Sequence, residues 1–237
     1  MIASPRSTNR RTGATRLGPL AGLAFVAVGA LAFGCAPTGS SPSGRPSVAA
    51  SVGASGAGTA GANGCPTSQP PPLSAGQKRV VTIETAKGTI AITVSGDLAP
   101  IAAGNFVALA SCHFYDGVVF HRLVPGFVIQ GGDPDGTGGG GPGYTIGDEP
   151  VTTQYRRGTV AMARTPAPHS QGSQFFIVLD DGAARSLAGV IPGYAILGDV
   201  TAGMETVDAI AAMPNSGQPG NDALQPVAMD KVTVGQP

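Results

Sequence analysis

Between Phe120 and Asp133 the chain reads Phe-His-Arg-Leu-Val-Pro-Gly-Phe-Val-Ile-Gln-Gly-Gly-Asp, two short strands around a Pro125-Gly126 turn. The turn ties Arg122, Phe127 and Gln130 to fixed offsets from one another. His121 and Arg122 are neighbours on a strand, so they are expected on opposite faces, one toward the interior and one toward an outer groove. A second run, Met162-Ala163-Arg164 followed by Gly172-Ser173-Gln174-Phe175-Phe176-Ile177, supplies more apolar wall.

The rest of the chain from Lys78 onward repeats this texture. Residues 80–85 and 89–94 read as a hairpin around Ala86-Lys87-Gly88, with Ile90, Ile92 and Val94 alternating onto one face. Further strands are predicted at 118–124, 127–131, 159–163, 174–179, 195–200 and 227–234. Pro100 opens a helical segment to about Ala110, and a second helix fits Met204–Met213. Many short strands, glycine-rich turns and two helices predict a mainly β fold. The expected form is an eight-stranded antiparallel closed barrel capped by two α-helices over residues 78–237.

The two runs suit one kind of chemistry. An X-Pro amide rotates slowly because its C–N bond has partial double-bond character, with a barrier of about 18–20 kcal/mol. Speeding that rotation requires no nucleophile, metal or cofactor. It requires an apolar slot for the ring and a donor that favours the twisted amide, whose nitrogen regains a lone pair. Arg122 is the candidate donor, since a guanidinium stays charged and presents a rigid fork. Gln130 is placed to hold Arg122 or a substrate carbonyl, and Phe127, Val128 and Phe176 supply the slot.

Residues 120–133, 162–163 and 172–177 together resemble the cyclophilin-type peptidyl-prolyl cis-trans isomerases. The resemblance runs from about Val80 to Val234. It implies Arg122, Gln130 and Phe127 as catalytic residues. It implies Val128, Ala163, Arg164, Gln174, Phe176, Leu187 and Tyr194 as substrate-binding, and proline-containing segments of exported proteins as partners. Val128 stands where the family commonly has methionine. Arg164 replaces a frequent asparagine, and its charge is expected to favour acidic neighbours in the substrate. Tyr194 falls where histidine is frequent. Residues 180–193 do not align, and the chain lacks the tryptophan often found there. The alternative function is a module that captures proline segments without turnover.

Residues 1–34 read as a signal peptide, with Arg6, Arg10, Arg11 and Arg16 ahead of an uncharged stretch from Leu17 to Gly34. A short membrane span is the competing reading. Leu31-Ala32-Phe33-Gly34-Cys35 resembles a bacterial lipobox, which makes Cys35 the lipidation candidate and places the domain on the outer face of the cell membrane. Secretion is the alternative. Residues 35–77 follow as a linker: 34 of the 41 residues from 36 to 76 are Gly, Ser, Ala, Pro or Thr. From Ala36 to Gly64 a flexible chain spans roughly 30 Å. Outside the cytoplasm Cys65 and Cys112 are free to pair as a disulfide.

Without the leader, 10 basic residues face 14 acidic ones, which gives no electrostatic basis for nucleic-acid binding. His113, His121 and His169 lack metal-ligand spacing, so no metal or cofactor is expected, and a monomer is expected. The glycine run Gly136–Gly143 lacks the Gly-Lys-Ser/Thr ending of a phosphate loop and reads as a flexible surface loop.

Overall fold

The computed structural model describes residues 64–237. The leader, Cys35 and the linker as far as residue 63 lie outside the described residues. Nine strands and three helices follow in chain order. They are β1 (Lys78–Thr85), β2 (Gly88–Ser95), α1 (Pro100–Ser111), β3 (Val119–Val124), β4 (Val128–Asp133) and β5 (Thr159–Met162). After them come β6 (Phe175–Val178), α2 (Asp181–Leu187), β7 (Ile196–Ala202), α3 (Met204–Ala211), β8 (Asp222–Ala228) and β9 (Lys231–Gly235). The strands form a single antiparallel sheet in the order β8-β3-β4-β6-β5-β7-β2-β1-β9.

The expected mainly β antiparallel fold is present, and it differs from the expectation in three details. The predicted strand at 227–234 is two strands. β8 pairs with β3 and β9 with β1, so the chain changes partner at Met229-Asp230. Among the described residues no ladder joins β8 to β9, so the ends of the sheet are linked by the chain rather than by hydrogen bonds. The third helix, α2, starts where the Asp180 carboxylate accepts from Gly182 N–H. Its seven residues, one of them glycine, carry too little periodicity to be read from sequence.

Strand alternation sorts the side chains into an inner core and a second apolar cluster. Ile83, Ile90, Ile92, Phe106, Phe120 and Phe175 are among the fully buried inner residues. Val128, Ala161, Phe176, Val178 and Ile196 belong to the second cluster, on the opposite side of their strands, and Leu187 of α2 joins them. Phe175 and Phe176 illustrate the division, one ring to each side.

The domain starts before its composition suggests. Leu73 is buried in the inner core, and its N–H donates to Pro100 C=O at 2.9 Å. A disulfide joins Cys65 to Cys112, just beyond α1, with Cα atoms 5.1 Å apart. At the other end of α1, Ala99 offers no side-chain cap. The Glu149 carboxylate takes that role, accepting from Ile101 and Ala102 N–H at 2.8 Å each.

Candidate active site

Three neighbouring strands build the groove. β4 turns Val128 and Gln130 outward, β6 turns Phe176 outward, and β5 contributes Ala161 and leads to Ala163. Gln130 and Ala161 both register opposite Phe176, so Phe176 lies at the centre of the floor. The fourth contribution comes from β3, where a register shift between Phe120 and Arg122 interrupts the ladders to both β4 and β8. The extra residue lets Phe120 and Leu123 both enter the inner core, which simple alternation forbids. Arg122 faces the groove, while His121 is buried, and a side chain on Gly138 would reach to 3.9 Å from its Nε2.

Arg122, Phe127, Val128, Gln130, Ala163, Arg164, Phe176, Leu187 and Tyr194 line one cavity of about 170 Å³. Of the residues singled out from sequence, only Gln174 lies outside that lining. It borders a larger adjoining cavity of about 420 Å³ beside the glycine loop, which shares Gln130, Ala163 and Arg164 with the first. Leu187 arrives on the last turn of α2, and Tyr194 from the segment before β7. The Tyr194 ring meets Phe176 edge-on, with centroids 5.2 Å apart.

A chain of hydrogen bonds fixes the polar edge. Arg122 Nε donates to Gly220 C=O at 3.2 Å, and Nη1 donates to Gln130 Oε1 at 3.3 Å. Gln130 Nε2 donates to Gln174 Oε1 at 2.9 Å. Gln174 Nε2 donates in turn to the carbonyls of Gly138 and Gly140, at 3.0 and 2.9 Å. Arg122 makes no ion pair among the described residues.

The glycine run is thus a structured support, which its composition concealed. Asp133, fully buried, accepts from the backbone N–H groups of Asp135, Thr137, Gly138 and Gly140. Burial by itself would raise the Asp133 carboxyl, but these donors hold it below its ordinary value. An aspartate followed by closely spaced glycines was the available signal for such a loop.

Arg164 departs from expectation. Its side chain is 3% exposed and lies 3.7 Å from Asp148. Nη1 donates to Pro192 C=O and Nη2 to Ala167 C=O, so its charge is turned inward instead of toward acidic substrate residues. Tyr155 was not singled out from sequence. Its hydroxyl accepts from Tyr194 N–H and donates to Tyr194 C=O, both at 2.8 Å. Among the described residues, no group of three or more His, Cys, Asp or Glu side chains could hold a metal ion.

The sequence profile of the family described as "Cyclophilin type peptidyl-prolyl cis-trans isomerase/CLD" matches residues 80–234. The peptidyl-prolyl cis-trans isomerase of Acinetobacter baylyi is 38% identical over 169 residues, covering 65% of this chain and 85% of that protein. Peptidyl-prolyl cis-trans isomerase A of Mycobacterium tuberculosis is 36% identical over 171 residues, covering 65% of this chain and 90% of that protein. A crystal structure of a Cryptosporidium parvum cyclophilin type peptidyl-prolyl cis-trans isomerase matches with a TM-score of 0.60 at 30% identity. That match covers 68% of this chain and 99% of the other. By its profile, its relatives and its architecture, the chain belongs to the cyclophilin-type peptidyl-prolyl cis-trans isomerase family.

Proposed function

We propose that this site isomerises X-Pro bonds with Arg122 as the catalytic donor. The prolyl ring enters the apolar cavity against Phe127, Val128, Phe176 and Leu187. Arg122 then faces the amide nitrogen. In the planar ground state that nitrogen shares its lone pair with the carbonyl and accepts poorly. At the twisted transition state the lone pair is localised, and a guanidinium N–H binds it more strongly. Gln130 keeps the guanidinium in place, and the outward backbone at Ala163 supports the peptide beside the ring. No covalent bond forms or breaks, and no proton needs to leave the enzyme.

The observation that carries this reading is the Arg122 guanidinium, held by two neutral acceptors at a cavity that Phe127, Val128, Phe176 and Leu187 give an apolar wall. Arg122→Ala should lower kcat/KM for an X-Pro peptide by about a hundredfold while the domain stays folded. Parent-like turnover in that variant would overturn the assignment. A protein that binds the peptide without accelerating its rotation would instead be a capture module.

The same proposal places the domain outside the cell membrane, tethered through a lipid on Cys35, where it assists folding of exported chains. The basic, then apolar, leader, the lipobox-like residues before Cys35 and the Cys65–Cys112 disulfide support it. Mass analysis of membrane-extracted protein tests it. A lipid-modified N-terminus at Cys35 is expected, and an unmodified N-terminus at Met1 or Ile2 would sink it.

A further inference from the structure

We infer that Tyr155 and Arg164 are positioning residues that clamp the wall Pro192-Gly193-Tyr194, so that Tyr194 meets the substrate as a preset surface. The inference rests on reading the cavity as the prolyl site.

Three consecutive residues are each fixed from a different direction. Pro192 C=O accepts from Arg164 Nη1 at 3.1 Å. Gly193 packs so closely that a Cβ there would lie 2.6 Å from Val151 Cγ2 and 3.3 Å from the Tyr155 hydroxyl. Tyr194 has both its N–H and its C=O bound by that one hydroxyl. Burial raises the Tyr155 phenol above its ordinary value, so it stays neutral and can accept and donate together. Just before the wall the chain is more open: Val190 is tied back to Leu187 C=O through its N–H, but Ile191 is 93% exposed. Beyond the wall, the buried Ala195 C=O accepts from Met162 N–H at 2.9 Å, so the clamp completes on one side a hold that the start of β7 supplies on the other.

What the clamp holds is functional surface. Tyr194 lines the cavity and stacks edge-on against Phe176 at its floor. A wall fixed in advance spares the ordering cost otherwise met when the peptide binds. The clamp therefore acts on binding, whereas Arg122 acts on the twist. Arg164, its side chain buried and both terminal nitrogens bound to carbonyls of its own chain, contributes through Pro192.

The experiment is a cycle in the full chain: Tyr155→Phe, Tyr194→Ala and the double variant. Each is read by peptide affinity, by isomerisation kinetics with an Ala-Pro peptide, and by amide hydrogen exchange at residue 194. Tyr155→Phe keeps the buried ring and removes only the hydroxyl. It should weaken Kd and raise KM about fivefold, leave kcat within about twofold, and speed exchange at Tyr194. In the Tyr194→Ala background it should add nothing to the loss of affinity. Additive losses, or a Tyr155→Phe protein with unchanged affinity, would overturn the clamp. So would a fall in kcat at constant KM. Arg164→Lys provides a second route: it replaces the rigid planar fork that reaches the Pro192 and Ala167 carbonyls from two nitrogens by a single nitrogen on a flexible stem, and the same rise in KM is expected. If the parent binds the peptide in a Tyr155-dependent way but does not turn it over, the isomerase reading fails and the clamp stands. If it turns over without any dependence on Tyr155, the clamp fails and the isomerase reading stands.

Discussion

Gln174→Glu should damage the site more than Gln174→Ala does, although glutamate is the closer match in size. The reasoning starts at the glycine loop. The carbonyls of Gly138 and Gly140 can only accept, so the Gln174 amide must turn its NH₂ group toward both. Its Oε1 is then left for Gln130, whose own NH₂ must donate to it. The remaining acceptor, Gln130 Oε1, is thereby aimed at Arg122. Two acceptor carbonyls thus set the direction of two amides and of the Arg122 guanidinium. A glutamate at 174 loses both loop hydrogen bonds and sets an anion against their oxygens. Each lost bond is worth about 1 kcal/mol net, and setting an anion against those carbonyls costs more. If about 1.4 kcal/mol of this reaches the oriented Arg122, kcat/KM falls about tenfold. Gln174→Ala removes the bonds without adding the anion, and a loss of about threefold is expected. The assay is cis-trans relaxation of an X-Pro peptide at neutral pH, with thermal melting to confirm folding. Equal rates for the two variants, or a faster Gln174→Glu enzyme, would refute the reasoning about polarity.

Two other perturbations follow from buried groups. Burial depresses the His121 imidazole, outweighing the pull of Asp133 and the backbone at Val119. The unfolded chain protonates this residue near its ordinary pKa of about 6.5 while the folded one resists. Stability is therefore retained above that pH and lost as acid is added. Urea midpoints at neutral and mildly acidic pH should diverge in the parent and converge in His121→Gln; an unchanged slope in the variant would exclude His121 as the cause. The Cys65–Cys112 bond closes a separation of 47 residues. Replacing both cysteines by serine should cost about 3–4 kcal/mol of unfolding free energy by loop entropy, with kcat/KM preserved. A urea midpoint equal to the parent's would contradict it.

What could be read from the sequence, and what could not, divides along a physical line. Alternation announces which face a strand residue takes, so Phe176 and Val128 could be placed in the slot before any coordinates. The β3 bulge breaks that rule locally, and nothing in Phe-His-Arg-Leu signals the extra residue, so the entry of both Phe120 and Leu123 into the inner core was hidden. The Asp133 loop was announced only by an aspartate ahead of closely spaced glycines, because its bonds run from backbone N–H groups, which leave no side-chain pattern of their own. Arg164 was misread for a different reason. Charge predicts exposure only on average, and here two carbonyls and Asp148 enclose the guanidinium.

The placement of charge around Arg122 makes a further argument about design. A carboxylate beside the guanidinium would fix it well, but would also neutralise the positive potential that the twisted amide nitrogen must meet. The structure uses neutral acceptors at both contacts, Gly220 C=O and Gln130 Oε1. The anion that ultimately orders this edge is Asp133, whose charge is met locally by loop N–H donors and relayed onward only as hydrogen-bond direction. Orientation is thereby supplied without spending the charge. By this logic Gln130→Glu should fix Arg122 more tightly yet lower kcat, since the new carboxylate would pair with the guanidinium and compete with the amide nitrogen for it.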